Sequence, residues 1–201
     1  MRSATEKLFK IDGHIACAVA GITSDANTLI DHCRLESQRH TYTYQEPIPV
    51  EIVVTKLCNV KQSYTQFGGL RPFGVSFLIA GWDEYRGFQL YHTDPSGNFS
   101  GWKAKPIGAN AAAAQSLIKD EIKDGEELTL QQAIELSVKA LAKTMDSLAP
   151  TAEKIEISTI SRAEDGTVVY RVLETAELRA VIERVTADIE KENKKNASGD
   201  I

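Results

Sequence analysis

Residues 14–20, HIACAVA, are apolar at nearly every position. A strand with one face in water alternates apolar and polar side chains, so an unbroken apolar run asks for cover on both faces. A chain carrying this segment has to build layers on each side of a sheet. Immediately before the run stands Asp12-Gly13, the strongest two-residue signal for a type I′ turn. Residues 7–11 (KLFKI) and 14–20 therefore read as a hairpin.

The rest of the chain supplies the other layers. After Gly21-Ile22-Thr23 a helix is predicted, with Thr23, Ser24 or Asp25 as N-cap and Leu29, Ile30 and Cys33 on its apolar side. A second helix begins near Pro49, where the missing N–H costs nothing, and Val50, Val53, Leu57, Val60 and Tyr64 recur at spacings of three and four. Strands follow at roughly 74–82, 88–93 and 98–104, joined by residues 83–87 and by Asp94-Pro95-Ser96-Gly97, both ordinary turn chemistry. An alanine-rich helix is expected near 109–122. Thr129 and Gln132 then form a capping-box signature for a helix reaching about Met145. A last hairpin, 154–161 with 167–173, turns at Glu164-Asp165-Gly166, and the final helix starts near Thr175. Residues 1–190 read as one domain and the charged stretch 191–201 as a disordered, solvated tail. Hairpin-joined strands predict antiparallel sheets with helices on their outer faces, a layered α+β sandwich.

Composition narrows the partners. The chain has 201 residues and a net charge of −5, with no concentrated basic patch, so nucleic acid is not expected as a partner. No apolar run is long enough to cross a bilayer, and no membrane association is expected. The first ten residues lack the apolar core of a secretion signal. Cys17, Cys33 and Cys58 are odd in number and lie in apolar, periodic segments, which favours buried free thiols and a cytoplasmic or nuclear compartment.

Catalytic signals are absent. His14, His32, His40 and His92 show no metal-ligand spacing, and no nucleophile elbow, phosphate-binding loop, HExxH or dinucleotide fingerprint occurs. No catalytic residue, metal or cofactor is expected. The unusual segment is YTQFGGLRPFG, residues 64–74, which sets two glycines, an arginine and a proline between a helix and a buried strand. A phosphate cradle is disfavoured, because Pro72 lacks an N–H and the loop leads into a strand. Locally it reads as a glycine C-cap followed by a rigid return into the sheet.

Four stretches taken together carry a resemblance: TEKLFKIDGHIACAVAGITSDA, YTQFGGLRPFGVS, YHTDPSGNFSGWKAKPIG and TLQQAIELSVKAL. In this order and spacing the chain resembles the α-type subunits of the 20S proteasome, over nearly its whole length to about residue 190. IPVEIV, GGLRPFGVSF and GWKA…IGAN are most similar to the eukaryotic type that occupies the third α position. The resemblance implies the four-layer αββα sandwich of the N-terminal-nucleophile hydrolases. It also implies a non-catalytic role in a seven-membered α ring, stacked on β subunits that hold the active sites.

Three sites follow from the same resemblance. Lys7 matches a lysine that pairs, between neighbouring α subunits, with the C-terminal carboxylate of a regulatory-particle tail; Gly21 and Ile22 match residues lining that pocket. Phe67, Gly68, Gly69, Leu70 and Arg71 match the turn that narrows the axial entrance, through which only an unfolded polypeptide passes. Asp94-Pro95-Ser96-Gly97 matches a shared structural turn. Family members carry several dozen residues before the stretch matching Lys7, including a gate-forming tail, a helix and the first strands. The expectation is thus a sandwich lacking those elements. The competing readings are a stand-alone amidohydrolase of the same fold, which needs a nucleophile freed at the N-terminus, and a truncated paralogue that does not assemble.

Overall fold

The structure is a computed structural model that describes residues 6–122, 127–145 and 150–198, with side chains to 189. Thr5, the first residue of the resembling N-terminal stretch, lies outside the described residues, as do residues 1–4 before it. The described residues divide into two compact units, one of 6–108 with Ser158–Arg171, the other of 109–122, 127–145, 150–157 and 172–198.

The larger unit is built on a five-stranded sheet of β1 (Leu8–Asp12), β2 (Ile15–Gly21), β3 (Val75–Asp83), β4 (Gly87–Thr93) and β5 (Phe99–Gly101), in that spatial order. Every ladder is antiparallel, as the hairpin connections predicted. β5 is three residues long, shorter than the expected strand over 98–104. Two helices, α1 (Thr23–Tyr44) and α2 (Val50–Gln66), pack on the sheet. Ile15, Cys17 and Val19 of β2, Val75, Phe77 and Ile79 of β3, and Tyr91 of β4 point into one core with Leu29, Ile30, Val53 and Leu57 of the helices. Each such aliphatic side chain contributes about 2 kcal/mol on leaving water. On the other face Ala16 is buried and Ala18 and Ala20 are half-buried, so HIACAVA is covered on both sides as its composition required. All three cysteines are buried and free. Burial pushes the Cys58 thiol up to about 11 and the Cys17 thiol up to about 12.

The β1–β2 turn differs from expectation. Asp12 pairs with Ile15, the register shifts between Lys10 and Asp12, and neither Gly13 nor His14 has the positive φ that a type I′ turn demands. The irregularity in β1 takes up the twist instead. Asp12 Oδ1 accepts from the Gly13 N–H at 2.6 Å, and the buried His14 Nε2 lies 2.7 Å from the Ile48 carbonyl.

The start of α2 is capped from outside. Pro49 is its N-cap and has no side-chain oxygen to offer. The buried Asp83 carboxylate, at the far end of β3, accepts from the Val50 N–H at 3.0 Å, from Tyr85 and Arg86 N–H at 3.1 and 2.8 Å, and from Gln89 Nε2 at 2.8 Å. Burial raises the pKa of this carboxyl, and the four donors outweigh it, leaving the group below its ordinary value.

A hairpin completes the unit: β6 (Ser158–Arg162) and β7 (Val168–Val172) form a two-stranded sheet, turning at Gly166 with φ +85°. The Arg162 guanidinium lies 4.8 Å from the ring centroid of Trp82, on the side of β3 away from Phe77. The unit thus holds a helix layer, a sheet and a second small sheet.

The other unit is helical. It comprises α3 (Ala111–Glu121), α4 (Leu130–Thr144) and α5 (Thr175–Ser198), and Ile134, Val138, Ile155, Ile157, Leu178 and Val181 share its core. The capping box at Thr129 forms as predicted: its hydroxyl accepts from Gln132 N–H while Gln132 Oε1 accepts from Thr129 N–H. α5 runs across the boundary read at residue 190, and residues 199–201 of the expected tail lie outside the described set.

Candidate functional site

The residues singled out in sequence gather at one end of the five-stranded sheet. Gly21 ends β2 opposite Val75, the first residue of β3. Its φ is +133°, and a Cβ there would stand 2.2 Å from the Gly74 carbonyl oxygen, so only glycine fits. The next residue, Ile22, is 47% exposed. Its N–H donates to the same Gly74 oxygen at 2.9 Å. Ile22 is also the N-cap of α1, with no side-chain cap bond. The expected caps Thr23, Ser24 and Asp25 are therefore corrected: β2 continues to Gly21 and the helix begins at Thr23, which places all three inside its first turn.

Asp25 has another task. Arg71 holds its carboxylate with a two-pronged fork, Nη1 to Oδ2 at 2.7 Å and Nη2 to Oδ1 at 2.8 Å. The Gly74 N–H donates to Oδ2 at 2.9 Å. The Arg71 bonds first and the Gly74 bond second hold the Asp25 carboxyl at about 2, below its ordinary 3.8.

The loop between α2 and β3 is anchored at its return and open at its tip. The expected glycine C-cap is not formed. α2 ends at Gln66, and Phe67 is the C-cap in an extended conformation, its N–H donating to the Ser63 carbonyl. The left-handed residue comes two positions later, at Gly69, with φ +84°. A Cβ on Gly68 or Gly69 would meet nothing within 4 Å. Phe67 and Leu70 are 65% and 52% exposed. Beyond Arg71 the chain is held again: Phe73 is buried, its ring centroid 4.4 Å from that of Tyr64.

Lys7 is exposed and directly precedes β1. Its carbonyl accepts from the Val19 N–H at 3.0 Å, which sets it two residues from Gly21 across the ladder. Lys7, Gly21–Ile22 and the stalk of the 67–71 loop therefore share one end of the sheet. The Asp94–Gly97 turn is internally satisfied, Asp94 Oδ1 accepting from Ser96 N–H at 2.8 Å, as a structural turn should be.

Sequence reasoning missed Lys61. It is fully buried in α2 and donates from Nζ to the Val75 carbonyl at 3.0 Å and Thr93 Oγ1 at 2.9 Å, with the Phe77 ring centroid 5.2 Å away. Burial pulls its ammonium down to about 8, against the opposing pull of Cys58, Asp94 and Cys33. The sign of its place was positional: Lys61 lies one turn from Leu57 and Cys58 on the apolar face of α2. Among the described residues no group of His, Cys, Asp and Glu could hold a metal ion.

The chain is similar to known proteins over most of its length. The family described as proteasome subunit matches residues 1–160. A proteasome subunit alpha type-4 of Spinacia oleracea is 58% identical over 170 residues, which span 85% of this chain and 67% of the relative. The alpha type-4-A subunit of Arabidopsis thaliana is 57% identical over 170 residues, with the same 85% and 67% spans. For the alpha type-4 subunit of Dictyostelium discoideum the identity is 53% over 195 residues, 96% of this chain and 76% of the relative.

Proposed function

Because the chain belongs to the proteasome subunit family, we propose that it acts as a non-catalytic subunit of the proteasome α ring, of the α type-4 kind. The observation that carries this reading is the identity to α type-4 relatives over most of both chains. Among the described residues, the α+β architecture with its antiparallel sheet and five helices fits the fold class of such a subunit. Its partners are other proteasome subunits, α neighbours in the ring and β subunits beneath, and it works in the cytoplasm and nucleus.

Within that role the exposed end of the sheet has two uses. The Lys7 ammonium pairs with the C-terminal carboxylate of a regulatory-particle tail, while Gly21, lacking a side chain, lets the peptide backbone approach beside Ile22. The turn of Phe67, Gly68, Gly69, Leu70 and Arg71 narrows the axial entrance to an unfolded polypeptide. Exposed apolar side chains at Phe67 and Leu70, on a tip that carries no packing load, support this reading.

Native size fractionation of an extract containing the protein, with peptide mapping of each fraction, tests the assignment. The expected result is comigration with α and β subunits in a very large particle. A protein found only as a monomer or small complex would overturn it. For the pocket, Lys7→Ala in assembled particles should weaken binding of a C-terminal tail peptide to this subunit by roughly tenfold, the loss of a charge-assisted contact of 1.5 kcal/mol or more.

A further inference from the structure

A second gathering of charge lies at the opposite end of the same unit. β3 starts at Val75 beside Gly21 and ends at Asp83, roughly 27 Å along at the usual rise of a strand. Asp83 bonds the Val50 N–H, so α2 begins at that far end, with the last turns of α1 beside it. Between the two helices is a cavity of about 460 Å³, lined by Glu36, Arg39, His40 and Tyr44 of α1 and by Ile52 and Lys56 of α2. Its walls hold two cations and one anion. The Glu36 side chain is 11% exposed, and its carboxylate accepts from Arg39 Nη1 at 2.8 Å on one oxygen and from Lys56 Nζ on the other. The Lys56 bond foremost, with Arg39 behind it, holds the Glu36 carboxyl below its ordinary value against the opposing effect of burial. Arg39 and Lys56 are themselves 64% and 42% exposed. They have donors to spare, since a guanidinium carries five N–H groups and an ammonium three. Among the described residues no second acid bonds either cation. Glu46, the other acid of this end, stands 3.7 Å from His40 Nε2, outside hydrogen-bond reach. The cavity is one negative charge short.

We infer that this cavity is a socket for one carboxylate, carried by an acidic side chain of the β subunit beneath, with Arg39 and Lys56 as its contacts and Glu36 as the residue that positions both. The inference rests on the ring-subunit reading given above. Charge decides the ligand class. A single carboxylate completes a set of two cations and two anions, whereas a phosphate dianion would set excess like charge beside the enclosed Glu36. Position decides the source. The socket lies at the far end of the unit from Lys7, so a regulatory-particle tail docked there does not reach it. With Lys7 and the entrance turn facing outward, the paired ends of α1 and α2 face the inner rings. Tyr44 and Ile52, 64% and 40% exposed, flank the cations. A protein partner covers such a flank and shuts water away from the ion pairs, where a charged contact counts most. Glu36 already holds the two long cationic side chains in place, so less of their freedom is lost when the partner seats.

The purified particle is the material for the test. Electron cryo-microscopy should show a carboxylate oxygen of a β subunit within about 3.2 Å of an Arg39 or Lys56 nitrogen. A socket holding only water, or an acid from a neighbouring α subunit or a second copy of this chain, overturns the inference. The acid so found then enters a double-mutant cycle with Arg39→Gln, a substitution at a largely exposed side chain. Arg39→Gln and replacement of the partner acid by its amide should each lower the share of this chain recovered in particles by about threefold or more. Together they should do no more than the larger of the two alone. Single effects that simply multiply in the double variant overturn the inference even where the contact is seen. Absence of the chain from the particle is a separate result: the ring-subunit reading then fails, and the inference falls with it.

Discussion

At the scale of single residues the sheet end tells similar glycines apart. Gly21 has a φ that L side chains avoid and a carbonyl oxygen 2.2 Å from where a Cβ would be. Gly21→Ala should therefore cost about 2 kcal/mol or more, whereas Gly68→Ala, with open space and no positive φ, should stay within about 0.5 kcal/mol. Urea denaturation of the two variants side by side checks the contrast. Asp25 adds a pH signature. Its folded pKa, about 2, lies below the ordinary 3.8, so its contribution is complete above the higher value and disappears as pH falls through the lower. The stability difference between the native chain and Asp25→Asn should shrink steadily from about pH 5 to about pH 2. The oddity of GGLRP was legible in the sequence. Its partner was not, because Asp25 and Arg71 are 46 residues apart and no local pattern joins them.

Elements differ in how much of their punctuation is local. α4 announces its own start, since Thr129 and Gln132 lie within one turn and bond each other. Thr129→Ala should cost about 1 kcal/mol. α2 announces only half of its start: Pro49 marks the place, and the acceptor comes from Asp83 on another element. Asp83→Ala leaves the buried Val50 N–H without its acceptor and frees the Tyr85 and Arg86 amides, and should cost about 2–3 kcal/mol. Thermal unfolding should therefore rank Asp83→Ala below Thr129→Ala; the reverse order would mean that the distant cap carries little. The turn signals fared by the same rule. Asp12-Gly13 marked a hairpin correctly but not its geometry, because the register shift in β1 is set by pairing with β2. The two glycines after α2 suggested a cap, while Phe67 ends the helix in an extended conformation on the way to the Arg71 anchor.

At the scale of the whole molecule, layering was legible from HIACAVA and from the hairpin-joined strands, because apolar continuity and short turns are properties of the chain itself. The buried Lys61, which joins α2 to the start of β3 and the end of β4, was not legible, because its partners are a backbone carbonyl and a hydroxyl on other elements. Its folded pKa, about 8, lies below the ordinary 10.5, so the unfolded chain binds more protons between those values. The lysine's penalty is full below about pH 8 and is relieved as pH rises to about 10.5. Relative to Lys61→Met, the native chain should gain stability over that window; comparing the two cancels the part of the buried thiols' opposing titration that does not depend on Lys61. The Asp83 cap has a consequence of another kind. Val50 and Asp83 are 33 positions apart. A ribosome adding residues at about 5–20 per second finishes α2 at Gln66 and then takes about 1–3 seconds to make the carboxylate that closes it. For that interval a nascent chain carries a helix with an open end and an uncovered apolar face, the kind of surface that chaperones hold.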